Sequence, residues 1–228
     1  ALLFAGAGLA MRRGLGAATA SAPRADDGLS SVQRARQVLA LPQARMVLAI
    51  VAVEGGFANA AMALAPSHLH GRFGIAVSLA GGALALYGVG GLLYSRNAGR
   101  LLARLQPLAM ARIGGLLSGL AWLLFALVPA VGLTLPLCLL AGLGFYMIHN
   151  TLQAQGTQMA PHQRGTAMAL FACSLFLGQS VGMGLASWWV DHAGTGVVIG
   201  SYGIGLALVG LAVGRMASAP AAPAARVP

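Results

Sequence analysis

Six long apolar segments follow one another after Arg45, separated by short stretches that contain polar residues, glycine or proline. They cover residues 46–66, 73–95, 108–129, 133–156, 165–190 and 196–214. A helix needs about 20 apolar residues to cross the roughly 30 Å hydrocarbon layer of a membrane, and each segment is close to or above that length. None alternates like a barrel strand, and lipid requires backbone groups to be paired within a segment. The pattern predicts an all-α, polytopic membrane helix bundle with six transmembrane helices.

Prolines mark the predicted ends of these helices. Pro66 is predicted to close the first helix, Pro107 precedes the third, and Pro129 closes it. Pro136 falls in the first turn of the fourth helix, and Pro161 falls between the fourth and the fifth. Because proline lacks a backbone N–H, it is tolerated at helix starts and connections, and these positions predict helices without interrupted middles.

The rest of the chain is predicted to flank the bundle. Residues 1–13 hold about ten apolar residues followed by a basic pair, too few to span a membrane, and we interpret them as the end of a truncated transmembrane helix. Residues 14–44 are predicted to be a cytoplasmic linker with a short surface helix near Val32 to Leu41. The bundle then covers residues 45–216, and residues 217–228 are predicted to be a disordered cytoplasmic tail.

Composition agrees with a membrane protein. Hydrophobic residues make up 58% of the chain and charged residues 8%, against roughly 45–50% and 25% in soluble domains. The net charge is +10 and all 14 basic residues are arginine, but no nucleic-acid recognition module accompanies them. Cys138 and Cys173 lie in apolar runs and indicate neither a disulfide nor a metal site. No cofactor is predicted.

The arginines are distributed unevenly over the predicted connections. Thirteen of the 14 fall on one side of a six-span topology, and only Arg72 falls on the other, with His68, His70, Asp191 and His192. Since cytoplasmic loops carry the excess of arginine, both ends of the bundle are predicted to lie in the cytoplasm. We therefore predict an integral membrane protein of a bacterial inner membrane, with no nucleic-acid partner.

Two sets of polar side chains lie within the apolar segments. Glu54 is the only acid in a predicted span, where a charge costs at least about 2.5–3.5 kcal/mol, and such groups often serve as proton relays. The alternative is a protonated structural Glu bonded to a neighbouring helix. Tyr146, His149, Asn150 and Gln153 form a polar stripe along one face of the fourth helix. A stripe in that position indicates a cavity wall, although a lone membrane His also fits a structural role.

Weaker candidates of the same kind are Tyr87, Ser174 and Gln179. Four other histidines are predicted to be loop residues without metal-ligand spacing, namely His68, His70, His162 and His192. Glycines spaced by four, such as Gly178 and Gly182, predict close packing between helices.

Enzymatic motifs are absent from the sequence: no P-loop, zinc-binding HExxH or nucleophile elbow occurs. We therefore predict that the protein is not an enzyme. A six-helix membrane enzyme built around His149 remains an alternative, and so does a non-transporting membrane scaffold or receptor.

Two connections resemble motifs of a known family. Residues 88–105, GVGGLLYSRNAGRLLARL, are similar to the loop motif G-x-x-x-D-x-x-G-R-[RK] of the major facilitator superfamily, through Gly91, Gly99 and Arg100. Ser95 or Tyr94 stands where that motif has Asp. Residues 158–170, QMAPHQRGTAMAL, are similar to the P-x-x-R-G-T-A start of the eleventh helix in drug and sugar-efflux-like members, and the similarity includes two further motif positions, Arg164 and Gly165.

The resemblance implies that residues 46–214 are the carboxyl-terminal six-helix half of a secondary transporter, made of two inverted three-helix repeats. Its first, second, fourth and fifth helices would then line a central cavity. Glu54, Tyr87, the polar stripe, Ser174 and Gln179 become candidates for contact with a small solute or with protons. The implied function is alternating-access transport as proton-coupled efflux. The implied partners are a small-molecule solute, protons, the lipid bilayer and a missing N-terminal six-helix half.

Overall fold

The computed structural model describes residues 29–215. The predicted truncated helix at residues 1–13 and the predicted tail at 217–228 lie outside the described residues. Regular structure within the described range is helical throughout, so the all-α prediction is confirmed. The helices are α1 Ser31–Ala40, α2 Pro42–Phe73, α3 Val77–Ala83, α4 Ala85–Arg104, α5 Pro107–Leu127, α6 Thr134–Gln158 and α7 Arg164–Val213. Short 3₁₀ turns at Val131–Leu133 and Pro161–Gln163 precede α6 and α7.

Five helical stretches in the described part of the chain are long and apolar enough to cross a membrane. The last of them contains α7, whose 50 residues would extend roughly 75 Å as one straight helix, more than twice the thickness of the hydrocarbon layer. Gly194 breaks α7 with φ 79° and ψ 160°. The Tyr202 hydroxyl after the break donates to the Gly182 carbonyl before it at 3.0 Å. The two arms of α7 therefore fold back on each other and count as two spans. Since α3 and α4 together form one stretch, the helices account for the six predicted spans.

Glycines allow the helix backbones to come into direct contact. Gly178 in the first arm of α7 lies against the backbone of Ala52 in α2, and Gly182 lies against Gly56. A side chain at either position would overlap the neighbouring helix, which is the packing that small residues permit in membranes. Similar close approaches join the second arm of α7 to α5, α5 to α6, and α6 to α4, at Gly115 and Gly210, Gly119 and Gly203, Gly114 and Gly144, and Gly90 and Gly142.

The end of α2 differs from the prediction. The helix continues through Pro66 for two more turns, because neighbouring apolar side chains such as Leu64 and Leu69 are buried in the bundle and their packing offsets the hydrogen bond that proline removes. The prediction that Pro66 closes the helix is wrong. His68 and His70 consequently lie in the last turns of α2 and not in a loop.

Two other predicted connections are also helical. α4 extends to Arg104, so Gly99 and Arg100 belong to a helix and not to a loop. The last turns of α4, which follow its apolar part, carry three exposed arginines, Arg96, Arg100 and Arg104. Their spacing of four places them along one face of the helix. His192, predicted to be a loop residue, lies in the first arm of α7.

The predicted surface helix before the bundle is present as α1. Its Ser30 cap accepts a hydrogen bond from the Gln33 backbone at 3.2 Å, and the Gln33 side chain accepts one from the Ser30 backbone at 2.8 Å, forming a capping box. The Gln163 amide, in the turn before α7, donates to the Gln37 side chain of α1. The contact between Gln163 and Gln37 holds α1 against the same end of the bundle as the turn between α6 and α7.

Candidate functional site

The two ionisable candidates of the first and fourth spans meet inside the bundle. Glu54 of α2 is completely buried, and both of its carboxylate oxygens lie close to Nδ1 of His149 in α6, at 3.1 and 3.2 Å. His149 keeps 16% of its side chain exposed. The two residues are 95 positions apart, and the sequence analysis treated them as separate candidates. The structure brings them together as one acid–imidazole pair.

Aromatic rings surround the imidazole of this pair. Phe145, one helical turn before His149, stacks on it with ring centroids 5.2 Å apart and an angle of 19° between the planes. Phe171 of α7 approaches from another side at 5.9 Å. The sequence analysis did not single out either phenylalanine. The spacing of four residues between Phe145 and His149 is a signal for the first contact, whereas nothing in the local sequence indicates the second.

The two tyrosine candidates pack beside the pair. Tyr87 of α4 is buried, and its ring lies 5.8 Å from that of Phe145. Tyr146 of α6 covers Gly91 of α4, where any side chain would overlap the tyrosine ring. Gly91, a candidate for the loop motif, thus has a packing position between α4 and α6.

The remaining members of the polar stripe have different environments. Asn150 is half-buried, and its amide donates to the Tyr146 carbonyl of its own helix at 2.8 Å. Gln153, one turn further along α6, is exposed. On α7, Ser174 and Gln179 are half-buried, and the Gln179 chain lies alongside Gly55 next to the buried acid. The stripe therefore runs from the acid–imidazole pair at its buried end to an exposed amide.

The motif candidates at the start of α7 lie away from this pair. Arg164 and Gly165 follow the Pro161–Gln163 turn and are exposed. They share that end of the bundle with α1, and no contact to the pair is made by either.

The chemistry available at the pair is proton exchange. A carboxylate and an imidazole within hydrogen-bond distance can hold one proton between them or release it, which changes the charge of the site by one unit. The charged form without that proton is costly to bury. Within residues 29–215, no cluster of three or more His, Cys, Asp or Glu side chains is arranged to hold a metal ion.

Comparison with known proteins gives one match. A family model described as Major Facilitator Superfamily matches residues 1–183 and also residues 47–227. Comparisons with curated proteins and with solved structures found no match. The two matched ranges together include every helix described above, and they agree with the resemblance noted at residues 88–105 and 158–170.

Proposed function

The chain belongs to the major facilitator superfamily, whose members are membrane transporters acting on a solute, and we propose that it forms one six-helix half of a proton-coupled efflux transporter. The contact between Glu54 and His149 carries this proposal. It joins α2 to α6, the first spans of the two three-helix repeats, and sites of secondary transporters lie near the middle of the membrane between such repeats. Both ends of the bundle are proposed to lie in the cytoplasm of a bacterial inner membrane.

The burial of the pair supports a role in coupling. When Glu54 and His149 share a proton the site is neutral overall, and when the proton leaves it carries a negative charge. Since Glu54 is completely buried, the negative form needs water or a bound cation nearby to be stable. A conformation that opens the site to water thus favours proton release, and one that closes it favours proton retention. This difference in affinity is what couples a proton to alternating access.

The polar stripe is proposed to contact the solute. Tyr146, Asn150 and Gln153 follow the pair along α6, with Ser174 and Gln179 on the neighbouring arm of α7 and Tyr87 behind them. Gln153 is exposed at the surface of the bundle, and an exposed amide facing lipid would lack hydrogen-bond partners. A second, complementary six-helix half would cover this surface and enclose a wet cavity, which supports the assignment of the chain as one half of a transporter.

The decisive experiment separates exchange from coupled transport. Full-length Glu54→Gln protein is reconstituted in proteoliposomes, with a substrate first identified by screening radiolabelled sugars and cationic drugs. We expect this variant to lose uphill transport driven by a pH gradient and to retain solute–solute exchange, because exchange requires no net proton movement.

Asp191→Asn is the matched control for that experiment. Asp191 is the other acid in the described part of the chain and is exposed near the break in α7, so its neutral variant should transport like the wild type. Undiminished, pH-driven transport by Glu54→Gln would show that Glu54 has no part in the mechanism. If Glu54→Gln lost both transport and exchange but inserted normally into the membrane, Glu54 would be assigned to solute binding instead.

A further inference from the structure

A groove of about 610 Å³ lies at the end of the bundle opposite the arginine-rich end. It runs between the end of α5 and the second arm of α7, next to the last turns of α2. We call it the Arg72 groove. The residues that matter in it are His68, Arg72, Leu127, Thr195, Val197 and Ile204. It is remote from the acid–imidazole pair and shares no residue with the polar stripe.

Arg72 gives the groove its charge. It is the one arginine of the 14 that the topology places on this side. The side chain is exposed, and its one hydrogen bond is a long one of 3.5 Å from Nη2 to the Leu127 carbonyl. Among residues 29–215 no carboxylate lies within ion-pair distance of it. A guanidinium has five N–H donors, so most of the donors of Arg72 are available to an anion.

The walls of the groove carry exposed apolar side chains. Leu127, Val197 and Ile204 expose 64%, 52% and 50% of their surfaces, and they form an apolar track along α5 and the second arm of α7. Next to the last turns of α2, Nδ1 of His68 and the hydroxyl of Thr195 are hydrogen-bonded at 2.9 Å. This contact joins α2 to the start of the second arm of α7. The groove therefore combines an exposed cation at the end of α2 with an apolar track that is exposed on the surface of the bundle.

We propose that the Arg72 groove binds an anionic phospholipid, with the phosphate on the Arg72 guanidinium and an acyl chain along Leu127, Val197 and Ile204. Arginine binds phosphate oxygens by charge-assisted hydrogen bonds, and basic positions at membrane surfaces attract anionic lipid headgroups. A water-soluble anion would make no use of the apolar track, and a hydrocarbon chain alone would make no use of Arg72. Both features together match a molecule with a phosphate head and a hydrocarbon tail. The site does not depend on the transport activity proposed above.

The test measures lipid binding directly. The full chain is purified in a neutral detergent and titrated with phosphatidylglycerol or phosphatidylcholine, and bound lipid is counted by native mass spectrometry. We expect the wild type to prefer phosphatidylglycerol. We expect Arg72→Ala to weaken phosphatidylglycerol binding about fivefold, since one basic residue near the surface contributes about that factor. Arg72 is exposed, so this variant should fold normally.

Three further measurements make the result specific. Arg104→Ala removes an exposed arginine at the opposite end and should leave binding unchanged. Val197→Trp, at an exposed position on the apolar track, should weaken binding while Arg72 is intact. Glycerol 3-phosphate, which has the headgroup chemistry without a tail, should fail to displace the lipid. The proposal is overturned by equal lipid binding in wild type and Arg72→Ala, by unchanged binding in Val197→Trp, or by displacement with glycerol 3-phosphate.

Discussion

Replacing His149 by phenylalanine should destabilise the bundle because it removes the hydrogen-bonding partner of a buried acid. Phenylalanine preserves the ring that stacks on Phe145 at 5.2 Å, so packing changes little. Glu54 is 0% exposed and its hydrogen bonds in the structure go to His149. The perturbation is therefore confined to the acid–imidazole contact.

The size of this effect follows from the geometry. Two unit charges about 3 Å apart at an effective dielectric of about 20 attract by roughly 5 kcal/mol before desolvation is counted. Removing one member of a buried pair costs about 3–5 kcal/mol if the other stays charged. If Glu54 takes up a proton instead, the unpaired carboxyl still costs about 1–3 kcal/mol. We expect His149→Phe to lower the free energy of unfolding by roughly 3 kcal/mol.

A double-mutant cycle isolates the contact from other effects of the substitution. His149→Phe, Glu54→Leu and the double variant are purified in detergent, and their unfolding is followed by circular dichroism during titration with a denaturing detergent. The double variant should recover most of the stability that His149→Phe loses, since no buried polar group is then left unpaired. Asn150→Ala is the control on the same helix. Its amide bonds its own helix at Tyr146, and its removal should cost less than about 1 kcal/mol.

The refuting result is additivity. If the effects of Glu54→Leu and His149→Phe add within about 0.5 kcal/mol, the two residues are not coupled. The proton-exchange role proposed for the pair would then lose its structural basis.

Two other predictions test packing and topology. Gly178→Leu should destabilise the bundle by about 1–3 kcal/mol because the backbone of Ala52 occupies the space for a side chain, whereas Gly184→Leu, in open space on the same arm, should be neutral in the same unfolding titration. With Cys138 and Cys173 replaced by alanine, Gly71→Cys should react with a membrane-impermeant thiol reagent on intact cells, and Arg104→Cys should react only after permeabilisation; the reverse pattern would invert the proposed orientation.

The number and type of spans could be predicted because lipid allows few solutions. A chain that must pair its backbone groups within apolar segments of about 20 residues forms helices, and the hydropathy pattern alone counts them. The break in α7 was also visible, as the gap between the segments that end at 190 and begin at 196. The ends of helices were less predictable. Pro66 is accommodated inside α2 because tertiary packing around it outweighs the preference of proline for helix ends. The neighbouring sequence does not indicate that packing.

The acid–imidazole pair shows where local sequence stops being informative. Glu54 and His149 were each recognisable as ionisable groups in apolar segments. Their pairing depends on the rotation and depth of α2 relative to α6, and these are set by contacts elsewhere. α2 is positioned by the first arm of α7 at Gly178 and Gly182, and α6 is positioned separately by α4 and α5. No pattern within either helix encodes that combination.

A proton gained or lost at the Glu54–His149 pair acts on helices that other contacts hold in place. Backbones are in direct contact at glycines between α2 and α7, between α6 and both α4 and α5, and between α5 and the second arm of α7, so rigid packing joins the helices around the pair. The backbones of α2 and α6 approach each other over a shorter stretch, and the Glu54–His149 hydrogen bonds join them there. Adding or removing one proton at that point changes the attraction between α2 and α6 without altering a glycine contact. The pair is thus placed where a change of one unit of charge acts directly on the contact between α2 and α6, the first spans of the two proposed repeats.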